Sequence, residues 1–205
     1  MLIYLHGFNS SPRSHKAQVF GRYLAQRGLG ARYACPALPH QPEQAVAVIE
    51  TELARAAKGP VTLVGSSLGG FYATWFAEKL GLKAVLINPA IYPHRDLRAF
   101  LGVQQNLHSG EKYELTEAHV AQWAQLFVPV ITPMRYLLLV ETGDALLDYR
   151  EALEKYAGAK QVVVQGGDHT LQSFPDHIAL ILEFAGLSGA APGFSESSSR
   201  SRDRA

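Results

Sequence analysis

Six short apolar runs alternate with segments of helical period along most of the chain, and that order constrains the fold more than any other feature. The runs are "LIYLHG" (2–7), "ARYACPAL" (31–38), "PVTLVGS" (60–66), "KAVLINP" (83–89), "RYLLLVET" (135–142) and "KQVVVQGG" (160–167). Most are continuously apolar, the pattern of strands covered on both faces. Between them, "SHKAQVFGRYLAQRG", "PEQAVAVIETELARAAKG", "GGFYATWFAEKLG", "DALLDYREALEKYAG" and "FPDHIALILEFAG" carry apolar residues one turn apart and close on glycine. The alternation predicts an α/β fold, a mostly parallel six-stranded sheet with helices on both faces. Residues 90–134 depart from the rhythm and read as a small helical insertion over the sheet edge, with one helix at "TEAHVAQWAQLF". The serine- and charge-rich tail from 187 to 205 is expected to be disordered, which leaves residues 1–186 as one domain.

The 205 residues can bury a sizeable core, and a formal net charge of +1 gives no bulk electrostatic reason to expect nucleic acid or an anionic membrane as partner. No run reaches the ~18 apolar residues of a membrane span, and "MLIYLHGF" lacks the basic start and long apolar stretch of a signal peptide. The expected location is the cytoplasm. Cys35 is the sole cysteine and reads as a small packed hydrophobe. The chain has no H-E-x-x-H, no paired cysteines and no G-x-x-x-x-G-K-[ST], so neither a metal nor a cofactor is expected.

"VTLVGSSLGGF" (61–71) is the stretch that carries chemistry. Its G-x-S-x-G core puts Gly65, Ser67 and Gly69 between a predicted strand and a predicted helix. A serine is a poor nucleophile unless exposed, oriented and next to a base. A sharp strand-to-helix turn exposes it, and glycines two positions either side remove the side chains that would collide. Ser66 is the rival hydroxyl, but centring on it leaves Val64 where glycine is needed.

Such a nucleophile needs an acid and then a histidine, each at the carboxyl end of a later strand. "RYLLLVET" runs into "GDALLDY", offering Asp144, and "KQVVVQGG" runs into "DHTLQSF", offering His169. Asp144 could instead cap a helix beginning at Ala145, Asp148 is the rival acid within that helix, and Asp168 reads as shaping the histidine loop. His15, His94, His108, His119 and His177 lack a strand end beneath them. The amides of Leu68, after the nucleophile, and Phe8, in the first loop "HGFNSSP", are the expected oxyanion donors. Gly7 lets that backbone approach, and His6 braces the loop by hydrogen bonding.

These pieces, "YLHGFNSSPRS", "GSSLGG", "ETGDALLDY" and "GGDHTLQSF", resemble the α/β-hydrolase superfamily, and more narrowly the YqiA-like small esterases. The resemblance spans residues 1 to about 185 in the right order. It implies an α/β-hydrolase fold whose sheet lacks the usual first two strands, with Ser67 as nucleophile, Asp144 as acid and His169 as base. It also implies a small-molecule substrate, an acyl ester or thioester. An acyl-CoA thioesterase would need a basic patch, for which Arg95, Arg98 and Lys112 of the insertion are the candidates. A binding protein on the same fold could lose any of the three catalytic residues.

Overall fold

A computed structural model gives the fold over residues 1–56 and 59–188. Eight strands form among these residues: β1 (Leu2–Leu5), β2 (Tyr33–Ala34), β3 (Thr62–Ser66), β4 (Lys83–Ile87), β5 (Gly102–Gln105), β6 (Lys112–Leu115), β7 (Tyr136–Glu141) and β8 (Lys160–Val164). Six make one sheet in the order β2-β1-β3-β4-β7-β8, and every neighbouring pair is parallel. The helices are α1 (His15–Gln26), α2 (Pro42–Ala56), α3 (Leu68–Leu80), α4 (Pro93–Asp96), α5 (Glu117–Gln125), α6 (Tyr149–Lys155) and α7 (Phe174–Phe184).

Successive strand residues point to opposite faces, which explains why the runs are apolar throughout. Leu2, Tyr4, Val64, Val85, Leu137 and Leu139 pack against Phe20 and Leu24 of α1 and Phe174 and Ile178 of α7. Ile3, Leu5, Leu63, Leu86, Leu138 and Val140 pack on the other face with Ile49 of α2, Phe76 of α3 and Tyr156, the C-cap of α6. Each such side chain is almost wholly buried, and burial of one Leu, Ile or Phe contributes about 1.5–3 kcal/mol.

Three expectations need correcting. The run 31–38 yields only two strand residues, because a 3₁₀ turn at Gly30–Arg32 precedes them and Pro36 and Pro39 lack the amide a ladder needs. The helix after β7 begins at Tyr149, with the Asp148 carboxylate capping the Arg150 amide at 2.9 Å, rather than at Ala145. The 90–134 insertion is helical only in part: β5 and β6 form an antiparallel hairpin between α4 and α5. The tail expectation falls almost wholly outside the described residues. No helix among the described residues is long and apolar enough to cross a membrane.

In a parallel sheet all carboxyl ends open on one rim, and the strand order reverses direction between β1 and β3. Ligands bind at such switch points. The loops after β1, β3, β7 and β8 carry the residues singled out above.

Candidate active site

Ser67 sits between β3 and α3 with φ 54° and ψ −123°, a backbone conformation that non-glycine residues rarely adopt. Its surroundings hold it there. The Ser67 amide donates to the Ile87 carbonyl at 3.0 Å, and its carbonyl accepts from Gly70 (2.8 Å) and Ala90 (3.1 Å). The flanking glycines are required by close approach: a Cβ on Gly65 would come within 2.6 Å of the Gly70 Cα, and one on Gly69 would run into the Leu5 carbonyl. Strain of this kind concentrates at functional sites. Ser66, one residue earlier, is buried as the last residue of β3.

Asp144 and His169 meet. His169 Nδ1 lies 2.7 Å from Asp144 Oδ2, and the Asp144 side chain is only 2 % exposed. Its other oxygen accepts from the Leu146 (2.8 Å) and Leu147 (3.0 Å) amides. The carboxylate therefore holds the imidazole and caps a turn at once, although no helix begins at Ala145. Burial alone would raise its pKa, but the His169 bond and the two amides bring it below the ordinary carboxylate range. A charged acceptor at Oδ2 fixes the proton on Nδ1 of His169 and leaves the Nε2 lone pair free.

Ser67 and His169 line one cleft of about 320 Å³. No hydrogen bond joins the Ser67 hydroxyl to His169 among the described residues; such contacts are often long before substrate binds and tighten in the complex. Gly7 lies against the serine, since a Cβ there would stand 3.5 Å from its Oγ. Phe8 lines the same cleft, and Leu68 opens α3 directly after the serine. Neither the Phe8 nor the Leu68 amide donates a hydrogen bond to an acceptor among the described residues. His6 braces the loop as expected: its Nδ1 donates to the Gly7 carbonyl (3.0 Å) and its Nε2 accepts from the Leu38 amide (3.0 Å).

The other candidates fall elsewhere. Asp148 is spent on capping α6. Asp168 is half-buried and folds its own loop, accepting from the Thr170 amide at 2.7 Å and from Gln172 Nε2 at 2.7 Å. Burial pushes the Cys35 thiol up to about 12, consistent with a packed hydrophobe. The basic patch sketched on the insertion is largely neutralised: Arg95 makes a two-pronged pair with Glu151 (2.8 Å each) and Arg98 pairs with Glu117 (2.8 Å). His15 and His108, by contrast, do reach the cleft wall, α1 beginning and the hairpin turning there. Among the described residues, no group of three or more His, Cys, Asp or Glu is arranged to hold a metal ion.

Two residues that hold the His169 loop escaped the sequence reading. Glu141, at the end of β7 and 1 % exposed, accepts from the amides of Asp168 (2.8 Å), Gln172 (3.1 Å) and Ser173 (2.9 Å) and from the Ser173 hydroxyl (2.7 Å). Burial works to raise its pKa, but these donors bring it below the ordinary range. Asn88, after β4, donates from Nδ2 to the Asp168 and His169 carbonyls (3.1 and 3.2 Å) while its Oδ1 accepts from the Glu141 amide (3.0 Å). Their only sequence signal is a polar residue closing an apolar run.

The hairpin joins the site through the first loop. Leu107 N donates to the Asn9 carbonyl (3.1 Å), Asn106 Nδ2 to the Ser10 carbonyl (2.9 Å), and the Tyr113 hydroxyl to Asn9 Oδ1 (2.6 Å).

A family model described as uncharacterised protein family UPF0227 matches residues 1–186. Among solved structures, a protein of Agrobacterium vitis S4 superposes with a TM-score of 0.72 at 20% identity, covering 90% of this chain and 87% of the other. Alpha/beta hydrolase domain-containing protein 10 from mouse superposes with a TM-score of 0.67 at 15% identity, covering 90% of this chain and 89% of the other. A monoacylglycerol lipase of Paleococcus ferrophilus gives 0.63 at 15% identity, covering 91% and 94%. The fold is that of the α/β hydrolases.

Proposed function

The chain belongs to the UPF0227 family and carries the α/β-hydrolase fold, and from that premise we propose that it is a serine esterase acting on acyl esters through Ser67, His169 and Asp144. The observation that carries the reading is the His169–Asp144 hydrogen bond on the cleft that also exposes a serine at positive φ. The name of the Paleococcus ferrophilus neighbour, a monoacylglycerol lipase, agrees with an acyl ester as substrate.

On this reading the reaction is acyl transfer to water. Ser67 Oγ attacks the ester carbonyl carbon as its proton passes to Nε2 of His169, and Asp144 stabilises the imidazolium that forms. The carbonyl oxygen becomes an oxyanion between the Phe8 and Leu68 amides, at the N-terminus of α3 where the helix dipole favours negative charge. Collapse expels the alcohol, which takes the proton from His169. Water, deprotonated by the same imidazole, then releases the acid and restores the serine.

Ser67→Ala should lower turnover of p-nitrophenyl butyrate by at least about 1000-fold while circular dichroism stays that of the wild type. A folded Ser67→Ala protein with wild-type turnover would end the proposal.

A further inference from the structure

The cleft is unusually rich in donors. Its wall includes the hydroxyls of Ser10, Ser14 and Thr170, the imidazoles of His15 and His108, and the Lys16 ammonium, and no Asp or Glu side chain lines it among the described residues. Lys16 Nζ is half-buried and donates to the Thr170 carbonyl at 2.6 Å, one residue past His169. An ammonium has three donors, so two remain for a ligand. The Arg13 guanidinium does not line this wall; it donates to the His108 carbonyl at 2.5 Å.

We propose that this cleft takes esters carrying a carboxylate, with Lys16 as the counter-ion that orients them over Ser67. The inference rests on the esterase reading and names its substrate class. A half-buried ammonium beside the reacting centre is costly to leave unpaired, and an anionic substrate supplies the missing charge. The acids nearest Lys16, namely Asp168, Glu141 and Asp144, are already committed to amides, hydroxyls or His169. Burial brings the Lys16 pKa down to about 8 against the pull of those three acids, so the amine is mostly cationic at pH 7 and loses its charge just above.

Two matched pairs of esters test this: p-nitrophenyl glutarate monoester against p-nitrophenyl pentanoate, and 4-acetoxybenzoate against its methyl ester, with enzyme-free rates subtracted. The first places the anion on the acyl side and the second on the alcohol side. In at least one pair the wild type should favour the anionic ester by about ten-fold in kcat/KM, the size of one hydrogen bond to a charged group. Lys16→Gln should bring that ratio close to one, and Lys16→Arg should keep it. The ratio should fall as pH rises through about 8 in the wild type and persist in Lys16→Arg. Of the other groups around the amine, His15, His108, Asp168, Glu141 and Asp144 are common to both proteins, so only the lysine accounts for the difference. Thermal melting of both variants checks that they fold. Ratios at or below one in both pairs, or a ratio that survives Lys16→Gln, would overturn the inference while neutral-ester turnover upholds the esterase reading. If no ester is turned over in a Ser67-dependent way, both readings fall.

Discussion

At the scale of single residues, Ser67, His169 and Asp144 stand out in the sequence because each follows an apolar run and two of them sit in recognisable surroundings, "GSSLG" and "GGDHT". Glu141 and Asn88 were not. Their meaning depends on where the amides and carbonyls of residues 168–173 arrive in space, about thirty and eighty positions along the chain, and no local pattern encodes that. Glu141 illustrates the cost of such a device. Glu141→Ala leaves three amides and a hydroxyl without their acceptor inside the protein, and stability should fall by about 2–4 kcal/mol, measured by urea unfolding. A variant as stable as the wild type would show that water replaces the carboxylate without loss.

At the scale of elements, the sheet was legible and the insertion was not. Strands buried on both faces announce themselves by unbroken apolar runs, whereas β5 and β6 alternate exposed with half-buried positions in "GVQQNLHSGEKYEL", only the last, Leu115, being buried, and offer no clear apolar run. Yet the hairpin touches the first loop, where the proposed mechanism places the Phe8 amide as an oxyanion donor. Tyr113→Phe removes the 2.6 Å bond to Asn9. It should cost only about 1 kcal/mol of stability, but under the proposed mechanism it should lower kcat more than it raises KM, because the loop that carries the proposed oxyanion donor loses part of its support. Steady-state kinetics on a neutral ester decides this, and unchanged kcat would leave the hairpin a bystander.

For the molecule as a whole, Glu141 and Asp144 link stability to acidity. Both carboxyls titrate lower folded than unfolded, so the stability they contribute is fully present above the ordinary carboxylate range and is lost as pH falls through it and on through their folded values. The urea midpoint should therefore drop below about pH 5, and less steeply in Glu141→Gln, whose amide does not titrate; equal slopes would assign acid unfolding to other groups. The strand order has a further consequence, in time rather than in space. Ser67 follows β3, near the centre of the sheet, while His169 follows β8 at its far edge. A chain leaving the ribosome at roughly 5–20 residues per second exposes Ser67 several seconds before His169 has been translated, so under the proposed mechanism the growing polypeptide carries a serine that has no means of attacking the acyl compounds around it.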